Sequence, residues 1–143
     1  MANVSVAASL PVSPDQAWKT ASDLCRFEEW LVLHEAWRGP VPEEITAGTV
    51  LTSVVTVGGL RNRMDWTVRS FEPPALITLS GQGKTGVQVS MALSVSAEGT
   101  GSSVGIDIEF SAPGLLRPIR SAVARALKRD LQHSLEQLVE LIG

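Results

Sequence analysis

The chain has two histidines, His34 and His133, and four tryptophans but no tyrosine. His34 stands in "HEAWRG", with Trp30 before it and Trp37 after it. An imidazole between two indoles could orient a ligand, or move a proton near neutral pH. The same residues have a plainer reading, in which the indoles cap a core and the histidine faces water. Glu35 is adjacent to His34, but neighbours on a strand point to opposite faces, so it is not an obvious partner. Without a carboxylate partner a histidine makes a weak case for catalysis. The lack of tyrosine also removes a common donor for polarising a carbonyl.

Other reactive side chains are placed no better. Asp65, Asp107 and Glu109 lie in alternating runs and fall on the polar face of each. The polar groups left for an apolar face are Ser53, Ser70 and, at a strand end, Asn62 or Arg63. That set is poor for general acid–base work, and no catalytic residue is assigned. No metal site is expected either: the two histidines are far apart in sequence, and the single cysteine, Cys25, sits beside Leu24 and Phe27. "GQGKTG" has no helix after it and reads as a hairpin loop rather than a phosphate loop, so no cofactor is expected.

The elements that must position these residues follow from periodicity. "NVSVAASL" puts Val4, Val6, Ala8 and Leu10 on one face of a strand. Ser13-Pro14 is an N-cap followed by proline at the first helical position, opening a short helix through Ala17, Trp18 and Ala21. A second helix is expected from Ser22 or Asp23, carrying Leu24, Phe27 and Leu31. From residue 36 to 111 the period is two. "GTVLTSVVTV" ends at Gly58-Gly59, a hairpin signal. Met64, Trp66, Val68 and Ser70 share a face, as do Val87, Val89, Met91, Leu93 and Val95, and as do Val104, Ile106, Ile108 and Phe110. The last segment is a long amphipathic helix from about Pro118, with Ile119, Val123, Leu127, Leu131, Leu135, Leu138 and Ile142 in its stripe. A sheet with one apolar face and a helix with one apolar stripe must bury each other.

The 143 residues are one domain's length, and residues 1–143 read as a single unit. Net charge is -3, which gives no global attraction to nucleic acid or anionic membrane. No apolar run reaches the roughly 18–20 residues of a membrane span, and "MANVSVAASLP" lacks the basic segment of a signal peptide. One cysteine cannot form an internal disulfide. A soluble, cytoplasmic protein is therefore expected.

Strand, two short helices, about six antiparallel strands and a long C-terminal helix make an α+β helix-grip plan, START/Bet v 1-like, with a curved sheet wrapped around the last helix. "SPDQAWKTASDLCRFEEWL" resembles the opening of the START-like (SRPBCC) superfamily, through Ser13, Pro14, Ala17, Trp18, Asp23, Phe27 and Trp30. "DLCRFEEWLVLHEAWRG", "GLRNRMDWTVRSFEPP" and "LSGQG" resemble a bacterial subgroup. Most of its members are described only as polyketide cyclase/dehydrase-like, and one as the toxin of a type II toxin–antitoxin pair. The resemblance implies binding of an apolar small molecule such as a lipid, sterol or polyketide, with catalysis in some branches. Fold alone does not choose among these.

The expected cavity wall is Met64, Trp66, Val89, Met91, Leu93, Ile106 and Ile108 from the sheet, Val123 and Leu127 from the helix, and Trp30, His34 and Trp37 at the mouth. Periodicity alone is equally consistent with a packed core, because both need the same residues. On the outer side of the helix, Arg125, Lys128 and Arg129 form a basic cluster that is either a solvated face or a docking patch for an acidic protein. With so small a patch, no nucleic-acid partner is expected. The leading expectation is ligand binding without catalysis. The alternatives are a toxin working through contacts with a small antitoxin-type protein, and a polyketide cyclase/aromatase-like enzyme that would rely on His34.

Overall fold

A computed structural model describes residues 2–57, 60–83 and 86–142. The hairpin signal at Gly58-Gly59 and the Lys84-Thr85 pair of the expected loop lie outside the described residues. The chain runs β1 (Ala2–Leu10), α1 (Pro14–Ala21), a 3-10 turn (Leu24–Arg26), α2 (Phe27–Trp30), β2 (His34–Trp37), β3 (Val50–Val57), β4 (Leu60–Glu72), β5 (Leu76–Gln82), β6 (Gln88–Glu98), β7 (Gly101–Ser111) and α3 (Arg117–Ile142). The strands form one seven-stranded antiparallel sheet in the order β1-β7-β6-β5-β4-β3-β2. The sheet curls into a half-barrel around α3, so the two elements with one apolar side each bury it against the other.

Local chemistry explains the starts and stops. Ser13 Oγ accepts the Gln16 amide N–H at 3.3 Å, and Pro14, with no N–H to satisfy, begins α1. The second helix is split rather than continuous. Asp23 caps the 3-10 turn by accepting the Cys25 N–H at 3.1 Å, and α2 is then a single turn. That short path delivers the chain quickly to the edge of the sheet. Ser134, fully buried on α3, holds it there: its Oγ accepts the Val32 N–H at 2.8 Å and donates to the Asp130 carbonyl at 2.7 Å.

Alternation assigns most inner faces correctly, and two bulges change the rest. The β4–β5 register shifts between Val68 and Ser70. Val68 stays inward, but Ser70 turns to the outer face, where its hydroxyl bonds Thr78 Oγ1 at 2.6 Å, and Phe71 turns in against Trp18, with ring centroids 5.8 Å apart. Strict alternation, which puts Ser70 inside, fails because the bulge inserts one residue into the count. On α3 the stripe from Val123 to Ile142 is at least partly buried, while Ile119 is exposed because the first turn of the helix projects past its cover.

Candidate functional site

Between β2–β7 and the first half of α3 lies a cavity of about 160 Å³. Val55 and Val57 of β3, Met64 and Trp66 of β4, Leu79 of β5, Val89 and Met91 of β6, and Ile108 and Phe110 of β7 form the sheet side. Val123 and Leu127 close it from α3, and Leu115 closes it from the segment before that helix. Phe27, His34 and Trp37 form the wall where the chain passes from α2 to β2.

His34 and Trp37 are three positions apart, so simple alternation would place them on opposite faces. A register shift between His34 and Ala36 brings both inward. Their ring centroids are 4.6 Å apart, and Phe27 lies 6.1 Å from each. The Trp37 Nε1–H donates to the Leu24 carbonyl at 2.7 Å, tying the edge strand to the 3-10 turn. Glu35, between them, faces outward, where Arg61 (2.7 Å) and Thr56 (3.1 Å) hold its carboxylate. Among the described residues His34 therefore has no carboxylate partner, and only 8 % of its surface is exposed. Burial lowers its pKa to about 4, because a charged imidazole loses its hydration there. Burial thus moves its titration below the neutral range that the sequence suggested, and His34 is part of the wall rather than a group facing water.

Trp66 is held flat by two features. Its Nε1–H donates to Ser53 Oγ at 2.8 Å. Opposite it on β5, Gly81 leaves room for the indole: a Cβ there would sit 2.7 Å from the ring and 3.0 Å from the Met64 methyl. Gly83 does the same for Met64 and Asn62. "LSGQG" thus marks the strip of backbone over which the β4 side chains lie, a role for its glycines that periodicity does not reveal.

Of the residues expected in the wall, His34, Trp37, Met64, Trp66, Val89, Met91, Ile108, Val123 and Leu127 line the cavity. Trp30, Leu93 and Ile106 do not, since each is fully buried in solid core. For Leu93 and Ile106 the reason is that the inner face at their end is covered by α1. Trp30 is instead turned from the mouth into the core, in edge-to-face contact with Phe27 at 5.6 Å. Phe27, Leu31, Leu33 and Leu115 also line the cavity, beyond the expected wall. Phe27 begins α2 and Leu31 follows it, at the helical spacing the sequence shows, whereas Leu33 and Leu115 lie in turns and loops, where no period marks a face. Val55 and Val57 share a face with Ser53, and alternation along β3 is a sufficient signal for them. Arg125, Lys128 and Arg129 are exposed on α3 and none of them lines the cavity; Arg129 makes only a 4.0 Å approach to Asp130.

The whole chain, residues 1–143, matches the family model described as polyketide cyclase / dehydrase and lipid transport. The chain belongs to this family. Toxin Rv0910 of Mycobacterium tuberculosis is 42% identical to it over 143 residues, covering 100% of this chain and 99% of that one. Among solved structures, TTHA0849 from Thermus thermophilus superposes with a TM-score of 0.80 at 16% identity, covering 99% of this chain and 97% of that chain. The Zhui aromatase/cyclase from Streptomyces sp. R1128 superposes at 0.76 with 15% identity, covering 99% and 93%. At those identities the two structures establish the shared fold alone. No helix among the described residues is long and apolar enough to cross a membrane.

Proposed function

We propose that the protein binds one hydrophobic or amphipathic small molecule, lipid- or polyketide-like, between the sheet and α3, without transforming it. The observation that carries this reading is the wall itself: broad apolar side chains around about 160 Å³, with no Lys, Arg, Asp or Glu lining it among the described residues. Burial of apolar ligand surface, at ~25 cal/mol per Å², supplies the affinity. Two methionines and two indoles give the wall an adaptable shape. A buried neutral imidazole with no carboxylate behind it is a hydrogen-bonding group, not an activated base.

Native mass spectrometry of protein purified gently from its own host is the test. A small-molecule adduct released by organic solvent is expected, and it should be lost in Val89→Trp, which fills the cavity, and in Met91→Asp. Normal far-UV dichroism must accompany the loss. An adduct retained in folded Val89→Trp protein would overturn the assignment to this cavity.

A second reading is favoured by the full-length likeness to a protein named a toxin: action through protein contacts, held in check by a small antitoxin-type partner. The exposed Arg125, Lys128 and Arg129 would then dock an acidic partner. Growth arrest on induced expression, relieved by a co-expressed neighbouring gene product, is the expected result. Arrest and relief unchanged by Arg125→Glu with Arg129→Glu would remove the patch from this reading.

A further inference from the structure

Beside the apolar cavity lies a second hollow of different character. It is a cleft of about 300 Å³ between the start of β1, the end of β7 and the first turns of α3. Phe110 and Ala112 line both spaces. The rest of the cleft is Ala2, Ser111, Arg117, Arg120, Ser121 and Ala124. On α3 these positions follow helical spacing, i, i+3, i+4 and i+7, so Arg117, Arg120, Ser121 and Ala124 share one face. Ala2, Ala112 and Ala124 are too small to fill the space that the two arginines border.

The positive charge there is uncompensated. Side chains at i and i+3 have Cβ atoms about 5–6 Å apart, so two guanidinium cations stand side by side and repel. Among the described residues neither forms an ion pair, and no carboxylate lines the cleft. Glu109, next to Phe110 on β7, is on the outer face of the sheet, where Asn3 Nδ2 donates to it at 3.3 Å. The first turn of α3 carries no acidic residue, so the positive end of the helix dipole adds to the same field. Arg120 carries a further cost. It is only partly exposed, and its buried Nε–H meets no acceptor among the described residues. A charged donor buried in that way has lost its hydration without a partner in return. An acceptor entering the cleft supplies one when the guanidinium turns its Nε edge toward it.

We propose that Arg117, Arg120 and Ser121 hold a phosphate group in this cleft, at a site separate from the apolar cavity. A carboxylate offers one planar pair of oxygens, which a single guanidinium fork already occupies. A phosphate monoester brings three free oxygens and close to two negative charges, enough for both forks. The Ser121 hydroxyl, one turn from Arg117, adds a neutral donor. The site does not depend on a ligand in the apolar cavity. A soluble phosphate and the headgroup of an anionic lipid present the same oxygens to it.

The test is isothermal titration of the full chain at fixed ionic strength with inorganic phosphate and with acetate. Sedimentation with vesicles of phosphatidylcholine, alone or mixed with an equal part of phosphatidic acid, probes the lipid source. Phosphate should bind at one site, about ten-fold tighter than acetate. Arg117→Gln and Arg120→Gln should each weaken it about ten-fold. Arg69→Gln removes an exposed cation of β4 that bonds Ser80 Oγ, and should leave phosphate affinity within about two-fold. Far-UV dichroism checks the fold of each variant. Arg117 is exposed, so Arg117→Gln decides by itself if Arg120→Gln does not fold. Phosphate binding with this pattern assigns the cleft to a soluble phosphate. Sedimentation that needs phosphatidic acid, and is lost in the α3 variants but not in Arg69→Gln, assigns it to a lipid headgroup. Binding in neither arm overturns the site. Acetate bound as tightly as phosphate overturns the choice of phosphate. Affinities that all three substitutions weaken alike, or that none weakens, overturn the site as well, since the attraction is then diffuse.

Discussion

The two ends of the sheet's concave face carry similar residues in the same alternation, yet one end is solid and the other hollow. Toward α1, Ile77, Leu93, Val95, Val104 and Ile106 are buried in continuous core with Leu131 and Leu138 of α3. Toward the start of α3, Val55, Val57, Val87 and Val89 are only partly buried and surround the cavity. The difference lies in the cover. Ala17, Trp18 and Ala21 of α1 are pressed onto the first end, two of them small enough to bring the helix backbone close. Over the second end stand the first half of α3 and the segment before it, with Val123, Leu127 and Leu115 facing the hollow. Alternation chooses which side of a strand is apolar. What packs on that side decides whether it is filled.

Truncations should separate the two ends most strongly. Ile106→Ala or Leu131→Ala removes tightly packed atoms and should cost about 3–5 kcal/mol in urea unfolding. Val89→Ala, beside an existing void, should cost about 1 kcal/mol. Equal costs at the two ends would mean that the hollow is closed in solution. Enlargements should reverse the order. Val104→Phe overfills the solid end and should lose about 1–3 kcal/mol, whereas Val89→Phe should be neutral within about 1 kcal/mol. A large loss at position 89 would show that the space is not there.

Acid should act through the hollow end. The His34 pKa is about 4 folded and 6.5 unfolded, so the unfolded chain binds the extra proton between those values. Stability is unaffected by this residue above pH 6.5 and falls as pH drops toward 4, by at most ~1.4 kcal/mol per pH unit. His34→Phe should flatten that part of the stability–pH curve, and parallel curves for variant and wild type would contradict the burial of the ring. The smallest effect is expected outside both regions. Arg125→Glu on the exposed side of α3 should change stability by less than about 0.5 kcal/mol, so any larger effect on growth or partner capture would belong to an interface.

Much of the architecture is legible in the residues. Ser13-Pro14 marks the start of α1, four runs of period two mark the sheet's inner side, and the stripe from Val123 to Leu138 marks the long helix. These signals are local, because a cap or a period involves residues within a turn or two of one another. The cavity is legible only in part. Met64, Trp66, Val89 and Met91 follow from alternation. Leu33 and Leu115 reach the wall from irregular backbone that has no period to read. The two bulges are equally silent, yet one turns Ser70 out and Phe71 in, and the other lets His34 and Trp37 share a face.

By itself, then, the sequence determined the order of elements, the apolar side of each, and the scarcity of charge on the inner face. The tertiary structure decided that Trp30, Leu93 and Ile106 belong to solid core, and that His34 is buried against Phe27 and Trp37. It also decided that a hollow exists at all. Faces are set by short-range backbone geometry, which the chain carries in its local pattern. Voids and desolvation depend on how far apart distant segments come to rest, which no local pattern contains.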